Sequence, residues 1–128
     1  MKILLDTATF LWILTDSRKL SARARELFAD SGNEVFLSVV SCWEIAIKHS
    51  LGRLPLPEPP AQLVPAQRES HGILALPLEE EAALHVGRLP RIHLDPFDRM
   101  LISQALVHGL AMLTCDEVIA QYPVRTVW

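Results

Sequence analysis

The apolar run Ile3-Leu4-Leu5 stops on a carboxylate, Asp6, and passes directly into helix-forming sequence. A continuous apolar run, without polar alternation, marks a strand buried on both faces. Both sides of its sheet must then be covered, and alternation of strands with helices along the rest of the chain points to a layered α/β architecture. Three later stretches repeat the pattern of an acid where a strand is expected to hand over to a helix. They are Ser41-Cys42-Trp43-Glu44, Asp95-Pro96-Phe97-Asp98 and Leu113-Thr114-Cys115-Asp116. In an open parallel sheet such junctions share one edge, the crevice where ligands bind.

Apolar runs and punctuation predict the remaining elements. Helices are expected from about Ala8 to Leu14 and from Ala22 to Ala29, the second capped by Ser21. Val35 to Ser38 reads as the second strand, and Ser41 as the start of a helix through Ile47 that closes near Gly52. The proline-rich segment Pro55 to Pro60 is expected to be a surface connection rather than a regular element. Ile73 to Leu76 is a third strand ended by Pro77, followed by a helix over Glu79 to Val86. Pro96 opens a helix that reaches His108 and stops at Gly109. Leu110 to Leu113 is a buried strand, and Val124 to Val127 a last one at an edge. The expected fold is an α/β sandwich around a mostly parallel sheet.

At 128 residues the chain is expected to form one domain over 1–128. Half of it is apolar, too much for a disordered chain. No apolar run approaches the roughly 20 residues that span a bilayer, and Asp6 comes too early for a signal peptide. Cys42 and Cys115 make no disulfide framework and show no zinc spacing, so both are expected to be small buried residues in a reducing compartment. A soluble cytoplasmic protein without membrane partners is expected. The formal charge of −3 argues against strong sequence-independent binding to nucleic acid. Setting Asp6, Glu44, Asp95, Asp98 and Asp116 aside reverses the sign, since the remaining acids are outnumbered by the 12 Lys and Arg.

Each acidic stretch has a local reading. Ser41 and Glu44 fit a capping box; Asp95 fits an N-cap before Pro96, with Asp98 a favourable charge in the first turn. Capping alone does not require Asp or Glu at every junction on one edge, because Ser, Thr and Asn cap without repelling each other. Converging carboxylates do repel unless a cation lies between them. A divalent site is therefore expected, and Mg²⁺ or Mn²⁺ suits carboxylate oxygens. Such an ion lowers the pKa of a water and offsets charge on a phosphate, so hydrolysis of a phosphodiester is the expected chemistry. Helix N-termini at the junctions would face the phosphate with their positive ends. Thr7 and Thr114 are positioned either to orient water or phosphate or to serve as turn and cap residues.

These residues carry a resemblance. The chain resembles the PIN domain family, and within it the VapC-type ribonuclease toxins of bacterial type II toxin–antitoxin systems. The matching pieces are Leu4-Leu5-Asp6-Thr7, Trp43-Glu44-Ile45-Ala46-Ile47-Lys48, Asp95-Pro96-Phe97-Asp98-Arg99-Met100-Leu101-Ile102 and Leu113-Thr114-Cys115-Asp116. The resemblance implies a three-layer α/β/α sandwich and an endoribonuclease that hydrolyses RNA phosphodiester bonds with Mg²⁺ or Mn²⁺. It also implies a homodimer and a small antitoxin protein that blocks the site, in some cases within a larger assembly. By position, Asp6 would be a central metal ligand, Glu44 the second acid, Asp98 the third and Asp116 the fourth, which often supports the metal through water. Asp95 would be a ligand, a cap, or both. Cys115 stands where relatives often carry a basic residue.

Other residues are weighed against plainer roles. Phe10, Trp12, Trp43 and Phe97 are expected in the core, although Phe10 and Trp12 also suggest an apolar groove for an antitoxin tail. Lys48, Arg53, Arg91 and Arg99 are candidate phosphate contacts or ordinary surface charges. His93 and His108 show no motif spacing, and metal chemistry makes a general base at His93 unnecessary. The rival function is a non-catalytic metal-binding α/β interaction module. A haloacid-type phosphatase would need a second Asp after Asp6-Thr7, where Ala8 stands, and a receiver domain would need its phosphoacceptor on a later central strand.

Overall fold

Five strands lie in one sheet, and every pairing in it is parallel. In the computed structural model, which describes residues 1–128, they are β1 (Lys2–Leu5), β2 (Glu34–Ser38), β3 (Leu74–Leu76), β4 (Ala111–Leu113) and β5 (Thr126–Val127). Their order is β3-β2-β1-β4-β5, with Ile3 opposite Val35 on one side and Ala111 on the other. The sheet thus winds outward in both directions from β1, whose carboxyl end is the topological switch point. The last strand lies at an edge, as expected, but is only two residues long.

Six α-helices cover the two faces: α1 (Thr7–Leu14), α2 (Ala22–Ala29), α3 (Val39–Ser50), α4 (Pro60–Ser70), α5 (Glu80–His85) and α6 (Pro96–His108). Alternation along β1 separates two cores. Ile3 and Leu5 pack with Phe10, Ala24, Ile45 and Val64, from the first four helices. Leu4 faces the other way, with Met112, Leu101, Ile102 and Ala105 of the α6 side. All three of these β1 side chains are fully buried, which explains the unbroken apolar run. The result is the three-layer α/β/α arrangement.

Several boundaries differ from the sequence expectation. The third helix begins at Val39, because the Ser38 hydroxyl accepts from the Val40 amide at 3.0 Å and caps it directly off β2. Ser41 is therefore interior to the helix, and the expected Ser41–Glu44 capping box is not formed. Pro60 opens α4 at its first position, so the proline-rich connection ends at Pro59. The acids Asp95 and Asp98 follow a loop, not a strand, and Asp116 precedes a short 3-10 turn, Ile119–Gln121, not an α-helix. No helix is long and apolar enough to cross a membrane.

Candidate active site

Asp6 ends β1 at the switch point and caps α1. Its Oδ1 accepts from the Thr9 amide at 2.6 Å, and its Oδ2 accepts from the Thr114 hydroxyl. Capping and site-building thus coincide in one residue. Burial raises the Asp6 pKa above the ordinary carboxylate value; the hydrogen bonds from Thr114 and Thr9 oppose that rise, and the charge of Asp116 adds to it. Thr114 also accepts from the Asp116 amide at 3.1 Å, so a single hydroxyl ties the two acids together. Asp116 Oδ1 in turn accepts from the Val118 amide at 2.9 Å, closing its own turn.

Glu44 points inward from α3 and is only 5% exposed. Thr7 Oγ1 lies 2.7 Å from Glu44 Oε1 and 2.9 Å from Ser41 Oγ. A threonine hydroxyl has one proton, which the carboxylate takes, leaving the Ser41 hydroxyl to donate to Thr7. The other Glu44 oxygen, Oε2, meets the ammonium of Lys48 one turn later. Glu44, Asp95 and Asp98 all raise the Lys48 pKa, the Glu44 bond most strongly.

The third piece comes from the start of α6. Asp95 is its N-cap: Oδ1 accepts from the amides of Phe97 and Asp98 at 2.8 and 3.2 Å. Asp98 lies in the first turn, and its pKa is pushed up to about 6 by burial first, then by Asp95 and Glu44, against the opposing pull of His93. His93 Nε2 stands 2.9 Å from Asp98 Oδ2. One ligand atom each from His93, Asp98 and Asp116 lies within 4.8 Å of the others, a spacing able to hold a metal ion.

The five sequence-derived acids therefore gather at the carboxyl edge in two lobes coupled through the charges of Glu44 and Asp98, with Asp6 tied to Asp116 through Thr114. Asp98, Asp116 and His93 form one, and Glu44, Thr7 and Lys48 the other. The donor set fits a divalent cation: carboxylate oxygens dominate, and the Lys48 ammonium already stands among them as a cation. His93 is the member that the sequence left out. Its only signal was a histidine two residues before the capping Asp95.

Other expectations change. Trp43 is 59% exposed and touches Phe97 edge-on, so it is not core. Phe10 is fully buried and cannot line a groove, whereas Trp12 does, beside Leu11, Leu14, Leu54, Leu56 and Leu63 in a cleft of about 420 Å³. Arg99 is committed to structure, donating to Pro90 O, Val86 O and the Tyr122 hydroxyl. Cys115 is exposed rather than buried, and Cys42 is half-buried.

A family profile described as the PIN domain matches residues 3–124. The chain belongs to the PIN domain family. Ribonuclease VapC16 of Mycobacterium tuberculosis (strain ATCC 25618 / H37Rv) is 39% identical over 61 residues, 48% of this PIN domain chain and 43% of that protein. The match thus spans less than half of the curated relative. Among solved structures, VapBC2 from Rickettsia felis, bound to a DNA fragment from its promoter, aligns over 99% of this chain and 98% of its own, with TM-score 0.75 and 13% identity. DNA-bound VapBC from Salmonella typhimurium aligns over 99% and 97%, with TM-score 0.68 and 19% identity. VapBC-1 from nontypeable Haemophilus influenzae covers the same shares, with TM-score 0.64 and 17% identity. At these identities the structures establish the PIN fold.

Proposed function

We propose that this PIN domain is a Mg²⁺- or Mn²⁺-dependent endoribonuclease that hydrolyses RNA phosphodiester bonds and acts as the toxin of a toxin–antitoxin pair. The observation that carries the reading is the gathering of Asp6, Glu44, Asp98 and Asp116 at one crevice, where the charges of Asp95 and Glu44 help raise the Asp98 pKa and that of Asp116 helps raise the Asp6 pKa. The likeness to a protein named Ribonuclease VapC16 supports the choice of RNA.

In this reading Asp6, Glu44, Asp98 and Asp116 hold the metal, with Asp95 shaping the start of α6. When bound, the ion supplies acidification of water and neutralisation of phosphate charge. The chain's own residues set the geometry. Thr7 holds Glu44, and Thr114 holds Asp6 and Asp116 in register. Arg53 lines a cleft beside Thr7, Ala8, Glu44 and Lys48, where its guanidinium can meet an RNA backbone. No covalent nucleophile is needed. The Cys115 thiol is unsuited to be one, because partial desolvation and the charge of Asp6 raise its pKa.

A small antitoxin protein and a homodimer are the partners we assign. The VapBC complexes that share the fold support the first, and the Trp12 cleft offers apolar surface for it. Pure protein incubated with structured RNA and Mn²⁺, with and without chelator, tests the catalytic reading. Cleavage should require Mn²⁺ and vanish in a folded Asp98→Asn variant. Cleavage that persists in that variant removes Asp98 from the site, and no cleavage by wild type favours a non-catalytic metal-binding module.

A further inference from the structure

His93 lies outside the acidic stretches, yet the fold goes to some length to place it. Its backbone amide donates to the Tyr122 hydroxyl at 2.8 Å, and Tyr122 is 3% exposed, anchored in the α6-side core. The same hydroxyl accepts from Arg99 Nη1 at 3.1 Å, and Arg99 also donates to Pro90 O at 2.9 Å. The loop from Pro90 to His93 is thereby pinned at both ends by residues from α6 and the C-terminal segment. Its imidazole is delivered to Asp98 Oδ2 at 2.9 Å, within 4.8 Å of an Asp116 oxygen.

We propose that His93 is a nitrogen ligand of the metal held by Asp98 and Asp116, which makes this centre prefer Mn²⁺ over Mg²⁺. The inference rests on the proposed metal centre and adds a ligand to it. Imidazole nitrogen suits first-row transition metals, whereas Mg²⁺ favours oxygen and keeps its waters. A ligand held by a pinned loop loses little freedom on binding, so its contribution to affinity is large. The plainer role for His93 is to balance the Asp98 charge until a metal displaces it. The two roles predict opposite effects of removing the ring.

The test is metal binding without RNA. Mn²⁺ and Mg²⁺ are titrated calorimetrically into metal-free wild type, His93→Ala and His93→Gln, and Mn²⁺-loaded samples are examined by electron spin-echo spectroscopy. The wild type should show modulation from a directly bound ¹⁴N nucleus. Both variants should lose it, and their Mn²⁺ Kd should weaken about tenfold or more, with a smaller change for Mg²⁺. The wild-type spectrum decides even if a variant fails to fold. Mn²⁺ bound without nitrogen modulation, or variants that bind Mn²⁺ as tightly as wild type or tighter, overturns the ligand role while leaving the acidic centre in place. Wild type that binds neither ion overturns both.

Discussion

Lys48 lies one turn beyond Glu44 on α3, and its ammonium rests on Glu44 Oε2 while Thr7 occupies Oε1. Both oxygens of a buried carboxylate are thus satisfied by the chain's own side chains. The pair is asymmetric, since the Glu44 side chain is 7% exposed and that of Lys48 43%. Lys48→Met should leave Glu44 as an uncompensated buried charge. Because Lys48 is partly solvated, the expected loss is roughly 1–2 kcal/mol, well below that of a fully buried pair. Thermal melts in chelator measure it, and Mn²⁺ should narrow the gap by taking over the neutralising role. Equal melting of both proteins in chelator would reduce Lys48 to a solvated surface charge.

The titration of Asp98 sets a second expectation. Its folded pKa, about 6, lies above the ordinary 3.8. Between these values the folded protein binds more protons than the unfolded chain, so this group's contribution to stability falls as pH rises through the window. Asp6, raised in the same direction, acts with the same sign. Metal-free protein should therefore melt higher near pH 5 than near pH 7.5, and Asp98→Asn should flatten that difference. Metal affinity should run the other way, weakening as pH drops through about 6 because the ligand must lose its proton. A metal-free melting curve that rises steadily from pH 5 to 7.5 contradicts the assignment.

Legibility in the sequence followed how local the determining interactions are. The helix α6 was readable to the residue because Asp95, Pro96 and Gly109 are a cap, a first-turn proline and a left-handed stop, with Gly109 at φ 67°. Ser21 likewise announced α2. The start of α3 is ambiguous in the sequence because two serines compete, and the one at the strand exit, Ser38, caps the helix. No pattern announced α4, whose interior Pro65 argues against a helix; packing of Leu63 and Val64 overrides that cost. The acids were legible as a set because they sit at one edge of a parallel sheet. Missing His93 has a different cause: its position depends on Tyr122, 29 residues away, through a hydrogen bond that no spacing rule encodes.

The toxin reading extends to living cells. The chain expressed alone should inhibit bacterial growth, and Asp6→Ala should relieve the inhibition. Trp12→Ala should leave inhibition intact but weaken neutralisation by a co-expressed antitoxin, because Trp12 lines the apolar cleft and lies outside the acidic crevice. Wild type and Asp6→Ala that are equally harmless, while soluble and abundant, would remove the main support for a toxin.

Asp98→Asn separates repulsion from capping. In the metal-free protein Asp98 is partly desolvated and faces Asp95 and Glu44, so removing its charge without changing its shape should stabilise the fold by on the order of 1 kcal/mol near neutral pH. The loss of a first-turn charge near the helix N-terminus opposes this by a few tenths of a kcal/mol, about 0.3–1 at most for a surface site. Metal acts in the opposite sense. Binding only the folded wild type, it stabilises by RT ln(1 + [L]/Kd), about 2.7 kcal/mol at a hundredfold excess over Kd. Melting curves of both proteins, in chelator and in millimolar Mn²⁺, should therefore cross: the variant melts higher in chelator, and wild type gains far more from Mn²⁺. A variant that is destabilised in chelator and responds to Mn²⁺ as wild type does would make Asp98 a helix-start charge, leaving the crevice without its third metal-binding acid.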